Sequence, residues 1–304
     1  MTIFVIQETS MEDDFTFACL IANGYKDVIF LKYIPFVNMY VFKTHKDVDD
    51  LLKADKVVCN SGIQMLLDVM LYGQISCMIG ESNQLLDSYT TWLIKNKLCE
   101  GYFYTPEEFD FINLSLLSTM KPYFLNSSFK FTTFQKAIEQ SAFSVPTFVK
   151  PSSDLKWFNA GVVKVGTSFK QFIDAQIHCD VLNNKRFDCG VLFAKPVDNI
   201  QTMYEYRCFI VNGKFITGSI YGMNRKRLPR ATSNHEIYFQ KWAQSITDML
   251  CGPGINRTIN TFVVDLILTD GFNVPPSIVE LNCLNCSGLY MSDSTKLIEA
   301  LRDL

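Results

Sequence analysis

Thr261-Phe262-Val263-Val264-Asp265-Leu266-Ile267-Leu268, a turn signal at Asp270-Gly271, then Ser277-Ile278-Val279-Glu280-Leu281-Asn282: this stretch near the end of the chain decides how the rest is read. Each half is a β-branched and aliphatic run, interrupted only where an oxygen-bearing side chain stands in place of a core residue. Glu280 and Asn282 lie two apart and share one face of a strand. If the runs pair as a hairpin centred on residues 272–273, Asp265 falls opposite Glu280 on that face. Two carboxylates at that spacing repel unless a cation joins them, and hard oxygen donors select Mg²⁺. The plainer alternative makes them outward residues of a half-solvated sheet. Three acceptors together favour the metal site over that alternative.

A metal site of this kind calls for a polyanion, and the cations to hold one come earlier in the chain. Phe148-Val149-Lys150-Pro151 ends an apolar run with a lysine, and the proline then stops the strand. Lys156 follows in a serine-rich turn and can add a second charge to the same phosphates. Either lysine alone reads more often as a solvated surface residue, and the argument lies in their coincidence with the acidic hairpin. In Tyr204-Glu205-Tyr206-Arg207-Cys208-Phe209 an acid and an arginine share one face of an otherwise aromatic and apolar strand. Such a guanidinium binds phosphate or an oxyanion through two hydrogen bonds, with Glu205 orienting it. The alternative is a cross-strand ion pair, worth ~0–1 kcal/mol if exposed.

Around these segments the chain changes character once. Residues 2–6, 27–33, 39–42, 56–59 and 75–79 read as strands, and residues 13–22, 63–72 and 106–119 read as helices between and after them. Leu85, Leu86, Tyr89, Trp92 and Leu93 recur at helical spacing. This alternation predicts a small open α/β sheet, without the G-x-G-x-x-G of a dinucleotide site. After residue 121 strands come in adjacent pairs: 187–194, 203–211, 214–220, 261–268 and 277–281. Asn212-Gly213 is a strong hairpin signal. Helical patterns at 169–179, 235–250 and 294–301 complete an α+β plan.

Composition sets the limits. The chain has 304 residues, 48% hydrophobic and 19% charged, enough for two or three packed lobes. A net charge of −3 argues against chain-wide attraction to nucleic acid or anionic membrane. No apolar run reaches the ~18 residues of a membrane helix. The start of the chain carries no signal-peptide pattern, so a soluble, cytoplasmic protein is expected. Ten cysteines scattered through apolar segments read as buried thiols in a reducing compartment. Cys283-Leu284-Asn285-Cys286 has the spacing of half a zinc site, but no second pair completes it. Gly161 to Ser168 lacks the lysine of a phosphate-binding loop, no H-E-x-x-H exists, and no Lys-x-Asp-Gly of a nucleotidyl-lysine ligase is present. The one concentrated basic run holds Arg225, Lys226, Arg227 and Arg230. It reads as a solvated loop, as a cover for phosphates, or as a landing place for an acidic or nucleic-acid acceptor.

Lysine–proline after a strand, Glu-x-Arg before an Asn-Gly hairpin, then a strand aspartate and Glu-x-Asn together resemble the ATP-grasp superfamily. The runs 148–161, 205–213 and 280–290 resemble more narrowly the branch found in bacteriophages and some bacteria. The resemblance covers residues 143 to 304; before that it is architectural. It implies a pre-ATP-grasp domain at residues 1–121 and a two-lobed ATP-grasp fold at 122–304, with lobes 122–195 and 196–304. By this resemblance Lys150 would hold the α- and β-phosphates of ATP, and Lys156 would face the phosphates or an acylphosphate. Ala194, Lys195, Pro196 and Val197 would form the adenine hinge, where an acidic residue often stands, with Asp198 near the ribose. Glu205 would belong to the nucleotide site beside Arg207, which would neutralise the transferring γ-phosphate. Asp265, Glu280 and Asn282 would ligate Mg²⁺. The implied activity joins a small-molecule or peptide carboxylate to an amine or other nucleophile through an acylphosphate, in the host cytoplasm if the chain is phage-encoded. The rival expectation is a nucleotide-binding or host-interaction protein that keeps this scaffold without catalysis.

Overall fold

The computed structural model describes residues 1–7, 27–34, 37, 39–60, 75–99, 120–152, 158–176, 190–198, 200, 203–221, 233–252, 260–268, 274–284 and 287–302. Three sheets follow one another along the chain. The first contains β1 (Thr2–Gln7), β2 (Val28–Ile34), β3 (Met39–Phe42), β4 (Lys56–Asn60), β5 (Ser76–Ile79) and β6 (Gln84–Leu85), in the order β4-β1-β2-β3-β5-β6. It is mixed: β1 is parallel to β2 and β4, whereas β3 runs antiparallel to β2 and β6 to β5. Helices α1 (His45–Lys53) and α2 (Ser88–Cys99) accompany it. Thr44 starts α1 through a capping box, its hydroxyl accepting from the Asp47 amide while the Asp47 carboxylate accepts from the Thr44 amide.

The helical spacing that begins at Leu85 is realised only from Ser88. Gln84–Leu85 is a short edge strand, and Asp87 opens the helix by accepting from both the amide and the hydroxyl of Thr90. The expected helices at 13–22, 63–72 and 106–119 lie outside the described residues.

β1 explains how this sheet meets the rest of the molecule. Its Ile3, Phe4, Val5 and Ile6 are all buried, the mark of a strand covered on both faces. Ile3 and Val5 face the cluster of α1 and α2, with Leu51, Ile94 and Leu98. Phe4 and Ile6 pack instead on Phe209, Val263 and Leu297 of the third sheet and its last helix.

The second sheet is antiparallel, β7-β10-β8-β9, built from β7 (Phe129–Thr133), β8 (Thr147–Pro151), β9 (Gly161–Val163) and β10 (Gly190–Ala194). Neither β7 nor β9 is evident in the sequence: Phe129–Thr133 is half-exposed and Gly161–Val163 is only three residues long. Helices α3 (Phe134–Ile138) and α4 (Phe169–Asp174) cover one face, where Phe134, Val149, Phe169, Val191 and Phe193 interlock. Thr147, Val149 and Pro151 of β8 are buried, so Phe148 and Lys150 point the other way.

The third sheet has the order β12-β11-β13-β14, all antiparallel: β11 (Tyr204–Val211), β12 (Lys214–Tyr221), β13 (Phe262–Leu268) and β14 (Ser277–Asn282). The expected hairpin is present, with positive φ at both Asn212 and Gly213, as its tight turn requires. Tyr206, Cys208, Ile210, Val264 and Leu266 face α5 (Ser233–Cys251), where Phe239, Ala243, Ile246 and Leu250 complete the largest core. Segment 120–125 joins this core through Met120 and Phe124, with the Leu125 amide donating to the Ile278 carbonyl. The opposite face is divided. Phe209, Val211 and Val263 pack on α6 (Ser294–Arg302), while Glu205, Arg207, Asp265, Glu280 and Asn282 make a charged end. No described helix is long and apolar enough to cross a membrane.

Candidate active site

The register of β13 with β14 puts Asp265 directly opposite Glu280, as the hairpin symmetry predicts. Strict alternation would then turn Ile278 to the same face as Glu280. A bulge prevents this: Asp265 pairs with Glu280 but Leu266 pairs with Ile278, leaving Val279 as the extra residue. Ile278 therefore enters the core at full burial while Glu280 turns into the site. One irregularity in β14 supplies both a core residue and a site residue.

On the neighbouring strand Arg207 stands opposite Asp265. Its Nε donates to Oδ1 at 2.8 Å and its Nη2 to Oδ2 at 2.7 Å, a two-bond fork whose side chains are 4% and 0% exposed. Asp265, a cross-strand partner, meets the guanidinium edge on, while Glu205 lies two residues before Arg207 on the same face of the strand. Arg207 Nη1 also donates to the Gly288 carbonyl at 3.4 Å, and its Cζ lies 5.2 Å from the centroid of the Tyr290 ring. Asn282 Nδ2 donates to Asp265 Oδ2 at 3.3 Å and to Glu280 Oε1 at 3.2 Å, tying the two carboxylates together.

The second sheet contributes Lys150, whose Nζ reaches Glu280 Oε2 at 3.4 Å. It comes from the face of β8 turned away from that sheet's core, so the lysine links the second sheet to the third. Glu205, on the Arg207 face of β11, feels all of this. Burial, and next the charges of Asp265 and Glu280, push its carboxyl up to about 8 against the opposing pull of Arg207 and Lys150. At neutral pH it therefore sits largely protonated, a neutral neighbour to an otherwise ionised network.

Lys150, Glu205, Arg207, Asp265, Glu280 and Asn282 are thus brought to one cleft. Ala194 ends β10, two residues beyond Leu192, which pairs with Lys150; Lys195, Pro196 and Val197 follow without regular structure and Asp198 lies in a turn. The hinge stretch therefore leaves the second sheet beside the strand that carries Lys150. Lys156, Arg225, Lys226, Arg227 and Arg230 lie outside the described residues. Sequence reasoning missed the contacts of Gly288 and Tyr290 with Arg207, which come from a loop with no strand or helix signal. The Arg207–Asp265 pairing had a usable signal: a buried arginine in an apolar strand needs a carboxylate, and Asp265 is the single acid of β13.

Among the described residues, no cluster of three or more His, Cys, Asp or Glu is arranged to hold a cation. The acidic hairpin offers two carboxylates and one amide, hard-oxygen donors of the kind Mg²⁺ takes, but here both Asp265 oxygens accept from Arg207 or Asn282 and Asn282 presents its nitrogen. Among the described residues no cysteine joins such a set. Cys77, Cys208 and Cys283 are buried and form no disulfide, and burial pushes Cys77 up to about 12 and Cys208 well above its ordinary value.

No curated protein matches the chain by sequence. Among solved structures, D-alanine–D-alanine ligase from Helicobacter pylori aligns over 100% of this chain and 99% of its own at 10% identity, with a TM-score of 0.52. The D-alanine–D-alanine ligase from Bacillus anthracis, complexed with ATP, aligns over 100% and 96% at 12% identity, with a TM-score of 0.44. At such identity the first likeness shows the fold alone. Residues 124–300, more than half of the chain, match the family model described as an ATP-grasp domain, the second family of its clade, and they contain the whole charged cleft. The chain belongs to that ATP-grasp family.

Proposed function

We propose that the protein is an ATP- and Mg²⁺-dependent ligase that activates a carboxylate as an acylphosphate and passes the acyl group to an amine or another nucleophile. One observation carries this reading. Cations from two different sheets, Lys150 and Arg207, are held by the carboxylates of a single hairpin, Glu280 and Asp265. Such a cleft is matched to a chain of phosphates with its counter-cation. In the proposed reaction a substrate carboxylate oxygen attacks the γ-phosphorus, the bond to the bridging oxygen breaks, and ADP leaves. The amine nitrogen then attacks the acyl carbon, the bond to the phosphate oxygen breaks, and inorganic phosphate and a proton depart.

The chain's own part is positioning and electrostatics. Lys150 holds the α- and β-phosphates, Arg207 faces the γ-phosphoryl group, and Lys156 meets the phosphates or the acylphosphate. Ala194 to Val197 contact adenine through their backbone, with Asp198 at the ribose and Glu205 a neutral hydrogen-bonding wall beside Arg207. Asp265, Glu280 and Asn282 would hold Mg²⁺, which when bound offsets phosphate charge; the Asn282 amide must turn over to offer its oxygen. Two lobes, 122–195 and 196–304, would close on the nucleotide. Buried free thiols support a reducing cytoplasm as the compartment.

The test is ADP release from Mg·ATP across panels of carboxylic acids and amines, followed by mass spectrometry. A product weighing the acid plus the amine less one water supports the reading. Nucleotide binding without ADP release from any pair would favour a non-catalytic nucleotide-binding protein.

A further inference from the structure

The loop after β14 holds Arg207 in a way the phosphate chemistry does not by itself require. Tyr290 has φ of +49°, in the left-handed region that bulky residues avoid. A conformation of that kind persists only where its surroundings impose it. Here they do. On one side, Ser287 Oγ donates to the Cys283 carbonyl at 2.8 Å and Leu289 is buried against the third sheet. On the other, the Ser292 amide returns to the Leu289 carbonyl at 3.0 Å, the Ser292 and Ser219 hydroxyls are 3.1 Å apart, and the Asp293 amide donates to Thr217 Oγ1 at 2.8 Å. The loop is fastened to β12 beyond Tyr290 and to the end of β14 before it.

The strained residue's ring is brought to Arg207. The guanidinium carbon lies 5.2 Å from the ring centroid, within cation–π range. Gly288 touches both: its carbonyl accepts from Arg207 Nη1, and a Cβ there would meet Tyr290 side-chain atoms at 3.3 to 3.5 Å. The fork to Asp265 and the bond to the Gly288 carbonyl hold the edges of the guanidinium. The aromatic face bears on the tilt of its plane.

We propose that Tyr290 is a positioning residue, whose ring sets the tilt of the Arg207 guanidinium and so its aim at the terminal phosphate of the nucleotide. This rests on the reading of Arg207 as the γ-phosphate group. The loop from Ser287 to Asp293 thereby acts as a fixed support for the arginine, and the left-handed backbone at Tyr290 is what turns the ring inward.

The experiment measures ATP and ADP affinities by calorimetry, with Mg²⁺, for the full chain and four variants. Tyr290→Asn tolerates the left-handed backbone but removes the ring; Tyr290→Gly does the same without any strain and serves if the asparagine variant does not fold. Tyr290→Phe keeps the face, and Arg207→Lys keeps only a charge. The ring-free variant should lose about 3- to 30-fold in ATP affinity, with ADP affinity essentially unchanged, and Tyr290→Phe should restore the ATP-over-ADP ratio. Equal weakening of ATP and ADP would make the ring merely structural and overturn the proposal. So would a phenylalanine variant as impaired as the ring-free one. If Arg207→Lys lowers ATP affinity while the ring-free variant does not, the positioning role falls and the reading of Arg207 stands. If Arg207→Lys leaves the ratio untouched, that reading falls and Tyr290 with it.

Discussion

Lys150 and Glu280, 130 positions apart in the chain, meet at 3.4 Å and link the second sheet to the third across the cleft. Their side chains are 12% and 27% exposed, so as an ion pair they contribute only about 0–1 kcal/mol to stability. Their importance is competitive. A phosphate on Lys150 and a cation on Glu280 each require this pair to loosen, so each favours the other. Glu280→Gln removes the competitor and the metal ligand together. Calorimetry should then find ATP binding in EDTA as tight as in the parent protein or tighter, while the gain in affinity on adding Mg²⁺ shrinks by about tenfold or more. An undiminished Mg²⁺ gain would place the cation elsewhere.

Arg207 and Asp265 are coupled far more strongly, being buried and joined by two short hydrogen bonds. Asp265→Asn leaves an arginine charge without its counter-ion inside the protein. Loss of one partner of a buried pair costs about 3–5 kcal/mol, whereas Glu280→Gln should change stability by about 1 kcal/mol or less. Urea unfolding of the two variants tests the order. A reversed ranking would mean that the fork is not a buried pair in solution.

Glu205 gives the site a pH signature. Its carboxyl is raised from 4.5 to about 8 in the folded chain, chiefly by burial and then by Asp265 and Glu280. The folded state thus holds this proton longer than the unfolded state does. Its stabilising contribution is complete below about pH 4.5, declines by up to about 1.4 kcal/mol per pH unit as pH rises, and is gone above about pH 8. Glu205→Gln should therefore gain stability relative to the parent between about pH 5 and pH 8, read as the difference between their unfolding free energies. Parallel pH curves would show that Glu205 is ionised throughout.

Much of this site is legible in the sequence because a hairpin is a local object. Asp265, Glu280 and Asn282 can be paired by counting from a turn, and their polarity stands out in apolar strands. The Asn-Gly turn after Arg207 is local in the same way. What escapes is whatever depends on partners distant in sequence or on a break in periodicity. A buried arginine calls for a carboxylate, but the one that answers, Asp265, belongs to a strand 58 positions away and is found only by comparing strands. The bulge at Val279, which admits Ile278 to the core, has no glycine to mark it. β7 hides for another reason: as an edge strand of half-exposed residues it lacks the apolar run that marks β13. The N-terminal sheet is readable as strands, but the antiparallel entries of β3 and β6 depend on connections that pattern alone does not fix.

The central claim is that ATP phosphates and Mg²⁺ meet at Lys150, Arg207 and the acidic hairpin, and equilibrium unfolding with and without Mg·ATP tests it most directly. At a hundred times Kd the nucleotide should stabilise the parent chain by about 2.7 kcal/mol, and most of that gain should vanish in Lys150→Met, which keeps the fold because its charge lies outside the second sheet's core. An unfolding curve unmoved by millimolar Mg·ATP, or an equal shift in the parent and in Lys150→Met, would contradict the account.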